Sequence, residues 1–189
     1  MERNAVISRK PNALVYVHRS GLLIAGKHIE RARLAFPEEV VSHMEILQPE
    51  AFAKLCRQFF DMHGLQRKRV LMVLDNDLLF TKKIELGKTG NPDALTDAFI
   101  AAMPFEPSQR ACLTIQAKSR LQLLATNARI YQATAEALHA SGIAKLCAIT
   151  PVAAYDLRNT ERKADALVEH LLKNTHISKA ANFLSTASL

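Results

Sequence analysis

Two carboxylates, Asp75 and Asp77, stand one residue apart directly after the apolar run at residues 70–74. Acids at the end of a buried strand can hold divalent ions, and two-metal chemistry needs several of them converging within a few ångströms. A third acid is expected on the first strand-turn-strand unit, residues 13–26. That unit carries none, and His18 and Arg19 stand there instead. Asp-Asn-Asp is also a frequent turn sequence, because short polar side chains bond their own backbone. The turn reading is preferred, and no metal ligand is assigned.

The other reactive residue types are equally unpatterned. His18, His28, His43, His63, His139, His170 and His176 form no HExxH or similar ligand spacing. His63 and His139 fall in the last turns of expected helices, where a cation is favoured by the helix dipole. Cys56, Cys112 and Cys147 are far apart and form no CxxC. A nucleophilic thiol needs an activating neighbour, and the apolar surroundings of these three predict reduced, buried structural thiols. The six glycines never compose a phosphate-cradling loop. Gly87-Lys88-Thr89-Gly90 lacks the upstream glycine of a GKT element and reads as a loop. No catalytic, cofactor-binding or metal residue is therefore assigned, and the chain is expected to be no enzyme.

The elements that would position these residues can be read in order. Residues 1–12 look like a loose arm. Residues 13–17 and 22–25 form a hairpin around Ser20-Gly21. Residues 31–36 alternate charged and apolar side chains, the pattern of a half-buried edge strand before Pro37. A helix spans 49–63, with Pro49 at its first position and Gly64 closing it. Strands at 70–74 and 78–86 flank the Asp-Asn-Asp turn. A second helix runs from Asn91-Pro92 to Met103, a hairpin occupies 111–125, and a third helix follows Asn127 to His139. Residues 145–149 are a strand, Thr150-Pro151 is expected to cap a fourth helix, and residues 161–173 are amphipathic. Residues 175–189 read as a tail.

At 189 residues with 49% hydrophobic content, the chain can bury one sizeable core. Its net charge of +7 suits nucleic acid, acidic proteins or an anionic membrane face. The one short basic cluster, residues 66–69, reads as a solvated loop. No signal peptide opens the sequence and no apolar run is long enough to span a bilayer.

Three segments together resemble a known family. VLMVLDNDLLFTKKIEL is similar to its strand pair ending in an xIxL segment. ALTDAFIAAMPFEP is similar to its helix and IPF break, with Met103-Pro104-Phe105 in that place. ACLTIQAKSRLQLLATNARIYQATAEALHASGIAKLCAITPVAAYDL is similar to the closure of its first half. The family comprises the cytoplasmic actin-like domains of PilM and of the type II secretion L component, which serve bacterial pilus and secretion assembly.

The resemblance implies an α/β fold: a ribonuclease H-like or actin-like half, with a mixed sheet flanked by helices. The core would take 13–77 and 126–174, an inserted α+β subdomain 78–125, and a tail 175–189. Nucleotide binding is not carried over, because VHRSG places His18 where an Asp would stand and the second half has no counterpart here. The implied role is a non-catalytic scaffold in the cytoplasm at the inner membrane, with no cofactor. Its expected partners are the assembly ATPase and sibling platform proteins. A homodimer is compatible with this reading, and nucleic acid is not expected. Arg31 and Arg33, on the edge strand, and Lys82 and Lys83, facing an acidic surface, are the candidate partner-binding residues. Asn182-Phe183-Leu184 resembles the family's Asn-Leu-Leu-like linker, and a membrane segment beyond Leu189 is compatible with it. The rival readings are a ribonuclease H-like metal-dependent nuclease using Asp75 and Asp77, and a basic nucleic-acid binder.

Overall fold

The computed structural model describes residues 10–85, 91–117, 119–152, 170 and 181–185. Among them are ten strands: β1 (Ala13–His18), β2 (Gly21–Gly26), β3 (Ile29–Ala35), β4 (Val41–Ser42), β5 (Glu45–Ile46), β6 (Arg69–Leu74), β7 (Phe80–Glu85), β8 (Arg110–Ala117), β9 (Arg120–Asn127) and β10 (Lys145–Pro151). Three helices join them: α1 (Pro49–Met62), α2 (Pro92–Ala101) and α3 (Ala128–Ala140).

A five-stranded mixed sheet runs in the order β10-β6-β1-β2-β3. β1, β6 and β10 are parallel, while β2 is antiparallel to both β1 and β3. This is the mixed sheet of an α/β fold, as expected from the sequence. Side chains alternate across the sheet. Val15, Val17, Leu22, Ile24, Val70, Met72 and Leu74 enter the main core, and Leu14, Leu23, Leu71 and Val73 form a separate cluster. With both faces buried, the central strands read as continuous apolar runs rather than as alternation. Gly21 lets β3 come close: a Cβ there would sit 2.1 Å from the Leu34 carbonyl oxygen.

The helices form where their end signals stand. α1 has Pro49 in its first turn and ends before Gly64, whose φ of 69° needs no Cβ. It buries Phe52, Cys56, Phe59 and Phe60. The side chains of Asn91 and Asn127 accept from the N–H groups of Asp93 and Arg129, capping α2 and α3. α1 and α3 pack together over the main core. A second sheet, β7-β9-β8, is wholly antiparallel and carries α2 against β8 and β9.

Several expectations need correction. Lys10–Asn12 is no loose arm. The Asn12 N–H donates to the Arg69 carbonyl, its Oδ1 accepts from Arg69 N–H at 2.8 Å, and the Lys10 carbonyl accepts from the Arg69 guanidinium. Thr150-Pro151 closes β10, and the fourth helix expected after it lies outside the described residues. Cys112 and Cys147 are only half-buried, whereas Cys56 is fully buried. Ala181–Leu184 is no free tail: Phe183 is fully buried and stacks at 5.5 Å on Tyr131. The β4–β5 hairpin was not foreseen. Of the expected helix at 161–173 only His170, which is helical, is described, and the Gly87–Gly90 loop lies outside the described residues.

Candidate functional site

The parallel strands β1 and β6 end side by side, and open α/β sheets offer their ligand crevice at such carboxyl ends. Here the ends gather Tyr16, His18, Arg19, Ser20, Asp75 and Asp77. Tyr16 and Asp75 point to the same side of the sheet, and the Tyr16 hydroxyl donates to Asp75 Oδ2. The other oxygen of Asp75 accepts from Asp77 N–H at 3.2 Å, which caps the short 3-10 turn at Asn76–Leu78. Both oxygens of Asp77 accept from Arg19 N–H, at 3.1 and 3.0 Å.

The electrostatics follow from this packing. Burial pushes the Tyr16 hydroxyl up, and the Asp75 carboxylate beside it pushes the same way. Partial dehydration raises Asp77, although much of the side chain is open to water. Arg19 N–H opposes that rise, Asp75 adds to it, and the charges of His18 and Arg19 again oppose it. Asp75 and Asp77 are thus taken up by the turn, as turn chemistry predicts. Among the described residues, no group of three or more His, Cys, Asp or Glu is placed to hold a metal.

A second loop closes on this cluster. Arg19 Nη2 donates to His43 Nδ1 at 3.0 Å, and Ser20 Oγ meets His18 Nδ1 at 3.2 Å. His43 and Met44 form the β4–β5 turn with φ of 49° and 68°. Such values are uncommon for residues with a Cβ. The turn is held by the buried Met44 side chain and by Asn127 Nδ2, which donates to the Met44 carbonyl at 3.2 Å. Tyr16, Arg19, Ser20 and His43 escaped the sequence reading. Only the two-residue spacing of Tyr16 and His18 on one strand face could have hinted at part of it.

The cysteines are poor nucleophiles. Burial pushes the Cys56 thiol up to about 12. It also raises Cys112 and Cys147, against a lowering by Lys145 and Arg69 at Cys147.

The four partner-binding candidates lie on two different edges. β3 is an edge of the large sheet, as its alternating sequence predicts. Arg33 opposes Leu23 and is exposed, and Arg31, two residues away on the same face, is half-buried. Lys82 and Lys83 lie on β7, an edge of the small sheet, opposite Leu123 and Gln122. Being neighbours on a strand, they point to opposite faces, so they are not one patch on one side. Both are exposed.

No known family profile matches the chain, and no curated protein matches it in sequence. Solved structures do resemble it. The PilM-PilN type IV pilus biogenesis complex matches with a TM-score of 0.47 and 17% identity, over 72% of this chain and 46% of that one. The cytoplasmic domain of EpsL, an inner membrane component of the type II secretion system of Vibrio cholerae, matches with a TM-score of 0.46 and 12% identity, over 76% and 58%. A protein with an actin-like ATPase fold from Bacteroides thetaiotaomicron matches with a TM-score of 0.40 and 10% identity, over 77% and 55%. The chain spans between 46% and 58% of the length of these structures.

Proposed function

We propose that this chain is a non-catalytic docking module of an inner-membrane assembly platform for type IV pili or type II secretion. It works on the cytoplasmic side, and its partners are the assembly ATPase and sibling platform proteins. The observation that carries this reading is the state of Asp75 and Asp77. At the strand ends where an actin-like cleft would do chemistry, one oxygen of Asp75 accepts from Tyr16 and both of Asp77's accept from Arg19 N–H. Those ends act as a brace between β1 and β6, which leaves the exposed edges to do the work. The sequence resemblance of three segments supports the same role.

The test pairs the purified chain with the purified assembly ATPase and a sibling platform protein from the same genome. Retention of either partner is expected. Lys82→Glu with Lys83→Glu should weaken the ATPase contact, and Arg31→Glu with Arg33→Glu the sibling contact. Failure to retain either partner sinks the proposal. So does magnesium- or manganese-dependent nucleic-acid cleavage that is lost on Asp75→Asn, which would establish the nuclease reading instead.

A further inference from the structure

Among the described residues the two larger sheets have four edges, and three of them differ from the fourth. At the β10 edge, Ile149 N–H donates to Asn182 Oδ1 at 3.0 Å. β8 touches the same Phe183–Ser185 turn. On β3, four of seven residues are half-buried, and a bulge between Ile24 and Gly26 disturbs the pairing with β2. Such bulges twist an edge away from further pairing. On β7, by contrast, five of six residues are exposed and only Ile84 is half-buried. Among the described residues it pairs with β9 on one side only. A strand in this position offers a row of backbone donors and acceptors to a further strand.

The side chains of β7 say which strand fits. Among the described residues neither Lys82 nor Lys83 is within ion-pairing distance of a carboxylate, whereas Glu85 already meets Arg120 at 3.7 Å. Antiparallel pairing of β7 with a second copy places lysine opposite lysine in each centred register. Lys82 meets Lys83, or Lys82 meets Lys82, or Lys83 meets Lys83. Like charges directly opposite are destabilising in a sheet, so the lysines guard the edge against its own copy. Phe80 and Ile84 flank Lys82 on one face, and Phe80 rests edge-on against Phe105 at 5.6 Å. At the far end of the strand, Ile84, Ile115 and Leu121 line a cavity of about 400 Å³ rimmed by Lys83, Glu85 and Arg120.

We infer that β7 is a strand-accepting edge for an extended acidic segment of a partner protein. That segment carries two adjacent carboxylates opposite Lys82 and Lys83, with apolar residues two positions apart from the relevant acid to meet Phe80 and Ile84. The inference rests on the docking reading and names the chemistry of one of its contacts.

The probe is a labelled, end-capped peptide Lys-Val-Glu-Glu-Thr-Val, which matches β7 in antiparallel register. It should bind the full chain. The double variant Lys82→Glu, Lys83→Glu should bind it at least about tenfold more weakly and prefer the peptide with Lys-Lys in place of Glu-Glu. Two further peptides are N-methylated on alternate amides, one set in each phase. One phase should abolish binding and the other should leave it, because only one set of amides faces a pairing edge. The variant Lys82→Thr, Lys83→Thr should shift from monomer toward dimer in sedimentation. Equal binding of both methylated peptides reduces the contact to side-chain charge and overturns strand pairing, as does no binding by any peptide. A dimer of the native chain that is lost on charge reversal assigns the edge to a second copy and overturns the acidic partner. If the peptides fail while the platform proteins are still retained, this inference falls and the docking reading stands.

Discussion

Asp77 is held by two bonds to one backbone N–H and still has its pKa raised above the ordinary carboxylate value of 3.8. An acid raised in the folded state favours folding when protonated. Its contribution is present at low pH and is lost as pH rises through its folded value. Replacing Asp77 with Asn removes that titration while keeping an acceptor for Arg19. The stability of Asp77→Asn relative to the native chain should therefore grow as pH rises from the ordinary carboxylate value of 3.8 through the raised folded value, as read by urea denaturation at each pH. A constant difference would mean that dehydration of Asp77 has no thermodynamic weight. The turn itself was legible, since Asp-Asn-Asp carries its own acceptors. Tyr16 was not legible, because its partner Asp75 lies 59 residues away and nothing local to Tyr16 announces it.

Elements were legible where their signals are local. Pro49 and Gly64 bound α1, and Asn91 and Asn127 open α2 and α3. The β4–β5 hairpin was not, because its turn is His43-Met44 where glycine or asparagine would be expected at positive φ. Tertiary bonds hold it in place of propensity. Asn127 serves two elements at once: its Oδ1 caps α3 and its Nδ2 binds the Met44 carbonyl. Asn127→Ala should cost about 1–3 kcal/mol, since a helix cap and a buried bond go together. Asn127→Asp keeps the cap and loses the amide donor, so denaturation of the two variants separates the contributions. Equal losses would place the whole effect on the hairpin. The sequence also grouped Lys82 with Lys83 as one basic segment. The period of two in β7 sends them to opposite faces, which the charge pattern alone does not express.

At the scale of the whole molecule, the mixed sheet was legible from its apolar runs and the order of helices between them. The role of Phe183 was not, because a short apolar group in a Ser- and Ala-rich stretch reads as tail. In the fold it is fully buried beside Tyr131 of α3, and its neighbour Asn182 satisfies an N–H of β10. Phe183→Ala should cost about 3–5 kcal/mol, as a large side chain is removed from a closed site. A urea titration with an unchanged slope and a lowered midpoint would show it. A loss below about 1 kcal/mol would mean that the site collapses freely around the gap.

Asn182 is 33 positions beyond Ile149, the strand residue whose N–H it accepts. During synthesis the chain leaves the ribosome from its amino end, and domains fold as units as they emerge. β10 therefore leaves the ribosome well before the residue that accepts from its Ile149 N–H. For that interval Ile149 N–H lacks its Asn182 acceptor and Tyr131 lacks its Phe183 neighbour, and incompletely packed surface of this kind is what chaperones engage.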